Sequence, residues 1–292
     1  MAEGYDPLPE TVGGADRAFL YRLRAVIEPD ERVATLFIGG SHASGAADAH
    51  SDLDLYVITT DDGFESFSAE RRGLMQGLGD AIFLEEHSDF GFLMMLFIYS
   101  DGVKGEIALA PASDLAGVHG GPHEVIFDKG GLLEGRRFPE GHLSDEMRRA
   151  IVRRALVWFW YDRVQLDVAV ARGRLWTAHF YLERSRDRCL DLAWLRARPT
   201  VWPGGHEKAE VMLDASTLGK LAPTVAPLDA EGTKDAARRI TDFYLEIAPE
   251  MATAAGVEYP RALVERMLAL YADDNSPTPK DTTPAPRHTP PA

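Results

Sequence analysis

Residues 33–59 read VATLFIGGSHASGAADAHSDLDLYVIT. The apolar run at 33–38 predicts a β-strand, Gly39, Gly40 and Ser41 predict a turn, and 53–58 predicts a second strand opened by Asp52 and Asp54. Side chains alternate faces along a strand, so residues two apart share a side. Asp52 and Asp54 therefore project together, while Leu53 and Leu55 point into the core. Two carboxylates this close repel each other unless a cation lies between them, and a divalent metal is the usual partner. The Gly-Gly-Ser turn just before them offers backbone N–H groups to a phosphate.

Working outward, a helix is expected at 15–27, where Phe19, Leu20, Leu23, Val26 and Ile27 recur at helical spacing. A second helix is expected at 65–78. The continuous apolar run at 92–99 predicts a buried strand, and Ser100, Asp101 and Gly102 a hairpin turn. The following segment, VKGEIALA at 103–110, alternates as a half-buried strand does. Val103, Ile107 and Leu109 share one face, and Lys104 and Glu106 the other. Glu106 has two readings, an ordinary solvent-facing residue on a sheet or a third acid beside Asp52 and Asp54. A short edge strand is expected at 125–127, and the Gly-, Arg- and Pro-rich stretch 129–142 predicts a domain boundary.

The Gly40–Ser41 turn followed by Asp52-x-Asp54 on the next strand resembles the nucleotidyltransferase superfamily of DNA polymerase beta. The resemblance implies Asp52 and Asp54 as Mg²⁺ ligands, Gly40 and Ser41 as the nucleotide-binding turn, and Glu106 as the third acid, serving as a metal ligand or a base. Lys104 and Glu106 on their strand are similar to the aminoglycoside nucleotidyltransferases in particular. So is the run from Trp158 to Leu182, with Arg172–Gly173 followed by Leu175–Trp176–Thr177–Ala178, which resembles the streptomycin type. Ser44 stands where many superfamily members carry an arginine, which removes one expected phosphate contact.

The second half predicts long helices. Ser144 is an N-cap candidate with Asp145 and Glu146 in the first turn, favourable for the helix dipole. That helix is expected to run to about 172 and, being apolar nearly all round at its middle, to be deeply buried. Further helices are expected at 174–196, 207–214, 233–247 and 260–271. All five tryptophans (Trp158, Trp160, Trp176, Trp194, Trp202) fall in this half and read as core. Asp162 and Glu183 are the helical-half candidates for a base or substrate contact, with ion pairing to a neighbouring arginine as the plainer fate of each. The tail at 276–292, with six prolines among polar residues, is expected to be disordered.

The expected architecture is thus α+β: a lead-in at 1–14, a mixed sheet with flanking helices at 15–138, a helical bundle at 139–275, and the tail. The 292 residues carry a formal net charge of −15 with 45% hydrophobic content. Such an acidic balance argues against gripping nucleic acid and suits a cationic ligand or plain solubility. The longest apolar block, 90–99, is too short to span a bilayer as a helix. With no basic-then-apolar leader and a single cysteine, Cys189, a cytoplasmic protein is expected.

The expected chemistry is Mg²⁺-dependent transfer of AMP, or another nucleoside monophosphate, from a nucleoside triphosphate, ATP first, to a hydroxyl of a small acceptor. That acceptor is hydroxylated and cationic, an aminoglycoside-like antibiotic, and a homodimer is a further expectation. Two rivals stand beside it. The same chemistry on a protein or tRNA is one, and the acidic balance disfavours its tRNA form. A non-catalytic, antitoxin-like module is the other, disfavoured because three clustered carboxylates repel one another to no purpose in an inert module.

Overall fold

The structure is a computed structural model and describes residues 8–87, 92–139 and 143–272. The tail at 276–292 lies outside them, as do the first seven residues. The chain forms two compact units, Met1–Gly141 and His142–Ala292.

The first unit opens with α1 (Gly14–Ile27), whose Phe19, Leu20, Leu23 and Ile27 are buried. Val26, placed on the same stripe by spacing, is instead 52% exposed, because the buried face of α1 is narrower than the apolar pattern. Next come β1 (Val33–Ile38), a short α2 (Gly40–Ser44), β2 (Leu53–Thr59) and α3 (Phe64–Gly77). Then follow β3 (Ala81–His87), β4 (Leu93–Tyr99), β5 (Lys104–Pro111), a one-turn α4 (Leu115–Val118) and β6 (Glu124–Asp128). The six strands form one mixed sheet in the order β3-β4-β5-β2-β1-β6. β2 and β5 pair parallel, and every other neighbouring pair is antiparallel.

Period-2 alternation gives the sheet two different faces. One carries Leu36, Ile38, Leu53, Leu55, Val57, Met95, Phe97, Ile107 and Leu109, all buried in one cluster with residues of α1 and α3. Full burial of each such side chain contributes roughly 1.5–3 kcal/mol. The other face carries a smaller cluster that includes Phe37, Ile58, Ala108, Ala110, Leu115, Val118 and Phe138. The half-buried Asp54 and Glu106 lie on this second face.

β3 has no counterpart in the sequence reading. It is an edge strand whose Ile82 and Phe83 are exposed, and its sequence AIFLEEH blends into a loop pattern. The Ser100–Gly102 hairpin forms as expected, with Gly102 at φ +90° and Tyr99 N–H donating to the Val103 carbonyl at 2.8 Å.

The second unit is built on α5 (Asp145–Ala171), α6 (Leu175–Ala197), a short α7 (Ala209–Met212), α8 (Ala215–Leu221), α9 (Ala230–Ala255) and α10 (Arg261–Ala272). Ser144 caps α5, its hydroxyl accepting from Met147 N–H at 3.2 Å. Asp214 and Asp229 cap α8 and α9 in the same way. The core joins Ala155, Phe159 and Trp160 of α5, Leu182 and Cys189 of α6, and Ile240 and Tyr244 of α9. Phe159 and Tyr244 stack with centroids 4.0 Å apart, and the Tyr244 hydroxyl donates to the Leu156 carbonyl at 2.7 Å.

Three expectations need correction here. The middle of α5 is not buried all round, since Val157, Trp158 and Tyr161 are exposed. Only Trp160 and Trp194 are core tryptophans, whereas Trp158, Trp176 and Trp202 are exposed, Trp176 at 80%. Composition at helical spacing marks an apolar stripe but does not fix how wide a face the neighbours cover. The helix expected at 207–214 contracts to the single turn of α7, with α8 beginning at its former end. Among the described residues no helix is long and apolar enough to cross a membrane.

Candidate functional site

β1 runs into the glycine turn, and the Gly39 N–H donates to the Asp54 carbonyl at 2.9 Å, so turn and acid strand are tied together. Gly40 follows at φ +57°, a conformation that disfavours any side chain. Its backbone also lies against the Asp54 carboxylate: a Cβ at Gly40 would stand 1.6 Å from Asp54 Oδ2. Ser41 and His42 continue into α2, which ends at Gly45 with φ +72°, its N–H returning to the Ser41 carbonyl. The first N–H groups of such a turn have no partner within the helix.

The loop to β2 is held locally. Asp48 accepts from His50 N–H at 2.8 Å, and these backbone and side-chain hydrogen bonds hold its carboxyl below the usual range. Lys104, at the start of β5, donates to the His50 carbonyl at 2.9 Å. His50 is exposed.

Asp52 precedes β2 and is exposed, while Asp54 lies within the strand and is half-buried. Parallel pairing of β2 with β5 sets Asp54 directly opposite Glu106, and Leu53 opposite Gly105. Gly105 permits this approach, because a Cβ there would fall 2.2 Å from the Leu53 carbonyl oxygen. Burial holds the Glu106 carboxyl above its ordinary range, and the charges of Asp54 and then Asp52 push the same way. Tyr56, next on the same face as Asp54, is pushed up to about 12 by burial, with Asp54 and Glu106 adding to it. Glu106 thus feels Asp54 and Asp52, but the oxygens of the three acids do not converge within 4.8 Å as a group of three.

Among the described residues the group that does converge to that extent is Glu183, Asp187 and His206, in the second unit. His206 Nε2 lies 2.7 Å from Glu183 and 2.9 Å from Asp187, and Glu183 also pairs with Arg186. Glu183 is exposed. Asp162 is fully buried and held by Arg184 at 3.0 Å and Arg188 at 3.6 Å. Both carboxylates therefore pair with arginine, Asp162 with Arg184 and Arg188 and Glu183 with Arg186.

Two further features lie near the turn. One is a group of rings on the acid-bearing face. Phe37 stacks on Tyr56 with centroids 4.7 Å apart, and His119, His123 and Phe138 pack around them. His119 comes so close to Gly39 that a Cβ there would lie 2.7 Å from its Cε1. Burial holds both histidines below their ordinary value. The other is His42, only 4% exposed, its Nδ1 lying 3.2 Å from Thr11 Oγ1.

Residues 17–273 match the sequence pattern of the family described as streptomycin adenylyltransferase. Among solved structures, an aminoglycoside 6-adenyltransferase from Bacillus subtilis is similar at 14% identity and TM-score 0.40, covering 87% of this chain and 96% of its own. A nucleotidyltransferase-like protein from Exiguobacterium sibiricum 255-15 is similar at 12% identity and TM-score 0.36, covering 84% and 79%. No curated protein sequence matches the chain. The assignment rests on the family pattern, which takes in most of both units: this chain belongs to the streptomycin adenylyltransferase family and is a nucleotidyltransferase.

Proposed function

We propose that this enzyme transfers AMP from ATP to a hydroxyl of an aminoglycoside-like antibiotic, using Mg²⁺ held by Asp52, Asp54 and Glu106. The observation that carries the reading is the side-by-side placement of Asp54 and Glu106, with the Gly40 turn packed against Asp54. The donor set suits the ion. Mg²⁺ takes oxygen ligands and is commonly bound by one or two carboxylates together with substrate phosphates. A carboxyl whose proton affinity is raised by burial and by two neighbouring acids, as that of Glu106 is, gains from a divalent cation beside it.

Mg²⁺, when bound, neutralises charge on the phosphates. Gly40 and Ser41 hold the triphosphate through backbone N–H groups and the serine hydroxyl. The acceptor oxygen forms a bond to the α-phosphorus, and the bond from that phosphorus to pyrophosphate breaks. The acceptor hydroxyl gives up its proton as the new bond forms, and Glu106, opposite Asp54, would take it where Mg²⁺ rests on Asp52 and Asp54 alone. The substrate in the family's name, streptomycin, supports a cationic acceptor, and the net charge of −15 is compatible with one. The same reading places the enzyme in the cytoplasm, where ATP and Mg²⁺ are available.

The test uses ATP labelled at the α- or the γ-phosphate, with Mg²⁺ and a panel of aminoglycosides beside a neutral cyclitol. Label from the α-position alone should appear on an aminoglycoside. Label from the γ-position on the acceptor would instead mean phosphoryl transfer and would overturn the reading.

A further inference from the structure

Thr11 lies in the segment preceding α1, yet its hydroxyl meets His42 twice. Thr11 Oγ1 donates to the His42 carbonyl at 3.3 Å, and the same oxygen lies 3.2 Å from His42 Nδ1. A hydroxyl has one proton to give. With that proton committed to the carbonyl, Nδ1 carries the ring proton and donates it back. The tautomer so assigned leaves Nε2 as a bare acceptor, and that atom is buried with no partner. Burial lowers the pKa of the ring, while the charges of Asp16 of α1 and of Asp52 oppose that shift.

An apolar side chain would fill this place without an unmet acceptor, so packing alone does not call for histidine. What only the histidine supplies is the Nδ1–H, which ties the third residue of α2 to a separate length of chain. That length is itself anchored. Leu8 and Val12 are buried, and Arg17 donates to the carbonyls of Pro9 at 3.2 Å and Val12 at 2.8 Å.

We propose that His42, held by Thr11, is a positioning residue for the nucleotide: it fixes the Gly40–Ser41 turn, so the segment 8–13 belongs to the nucleotide site. This rests on reading that turn as the triphosphate cradle. Loosening it should weaken the hold on nucleotide and leave the acceptor's own binding untouched.

The experiment titrates the full-length protein with a fluorescent ATP analogue and Mg²⁺, with KM measured separately for ATP and acceptor. His42→Leu should weaken nucleotide binding about tenfold or more, with ATP KM rising in step and acceptor KM unchanged, on the scale a loosened positioning contact produces. Its melting temperature should be equal to or above the parent's, because the unmet acceptor is gone. Thr11→Val should shift nucleotide affinity in the same direction, and Thr11→Ser, which keeps the hydroxyl, should restore it. Nucleotide affinity at the parent level in folded His42→Leu and Thr11→Val would overturn the proposal, as would a Thr11→Ser as weak as Thr11→Val. If His42→Leu does not fold, the exposed Thr11 position decides between the two outcomes. A parent protein that binds no nucleotide would remove the triphosphate reading, and this proposal with it, which a flat parent titration distinguishes from failure of the variants alone.

Discussion

Asp54 and Glu106 face each other across the parallel pair β2–β5, on the sheet face opposite the core that α1 and α3 cover. Each is half-buried, and burial together with the neighbouring charge raises the proton affinity of Glu106. On the proposed function, the arrangement trades stability for a place to hold a cation, a common feature of functional sites.

That trade has a pH signature. The folded pKa of Glu106 lies above its ordinary value, so the folded state holds this proton more tightly than the unfolded chain does. The stability this confers is present at low pH and is lost as pH rises through the folded pKa. Glu106→Gln should therefore melt a few degrees above the parent near neutral pH, with the gap closing below about pH 4.5, where both states are protonated. Mg²⁺ should raise the parent's melting temperature and raise the variant's less. Thermal melts across pH, with and without Mg²⁺, check both points. A gap that stays constant with pH would show that Glu106 is not strained in the fold.

Gly40→Ala probes the contact between turn and acid. The left-handed φ of +57° costs an alanine about 1–2 kcal/mol, and its methyl would collide with Asp54 Oδ2. Displacement of reacting groups by about an ångström can lower rates on the order of 100-fold. Circular dichroism should show a folded protein, and turnover should fall by about that factor. A fully active variant would mean the turn can move away from Asp54 at no cost.

Asp162→Ala separates an architectural from a substrate role for that carboxylate. Asp162 is fully buried between Arg184 and Arg188, so its removal leaves partly buried guanidinium groups without their partner. The expected loss is about 3–5 kcal/mol in urea denaturation. A loss under about 1 kcal/mol with collapse of acceptor affinity would place Asp162 in the substrate site instead.

The sequence made these parts legible to different depths. Strands β1 and β4 stood out as apolar runs and β2 and β5 by alternation, which set Glu106 on the face away from Ile107 and Leu109 but did not say that Asp54 shares it. The parallel pairing that brings the two acids into register did not, since it depends on β3 and β4 intervening between β2 and β5. β3 escaped because an exposed edge strand need not alternate. The ring cluster around Phe37 and Tyr56 escaped because His119, His123 and Phe138 reach it from loops. In the helical unit, Ser144 marked the start of α5 through a hydrogen bond legible in the sequence, whereas exposure of Trp158 and Trp176 depends on which neighbours cover them.

The central claim is that the Asp54–Glu106 pair carries nucleotidyl transfer, and a single-turnover assay reaches it most directly. Parent, Asp54→Asn and Glu106→Gln are each mixed with α-labelled ATP, Mg²⁺ and streptomycin, and label on the antibiotic is followed by mass and radioactivity. The account predicts transfer by the parent and a loss on the order of 100-fold or more in both variants, each remaining folded. Label transfer by either variant at the parent's rate would contradict it.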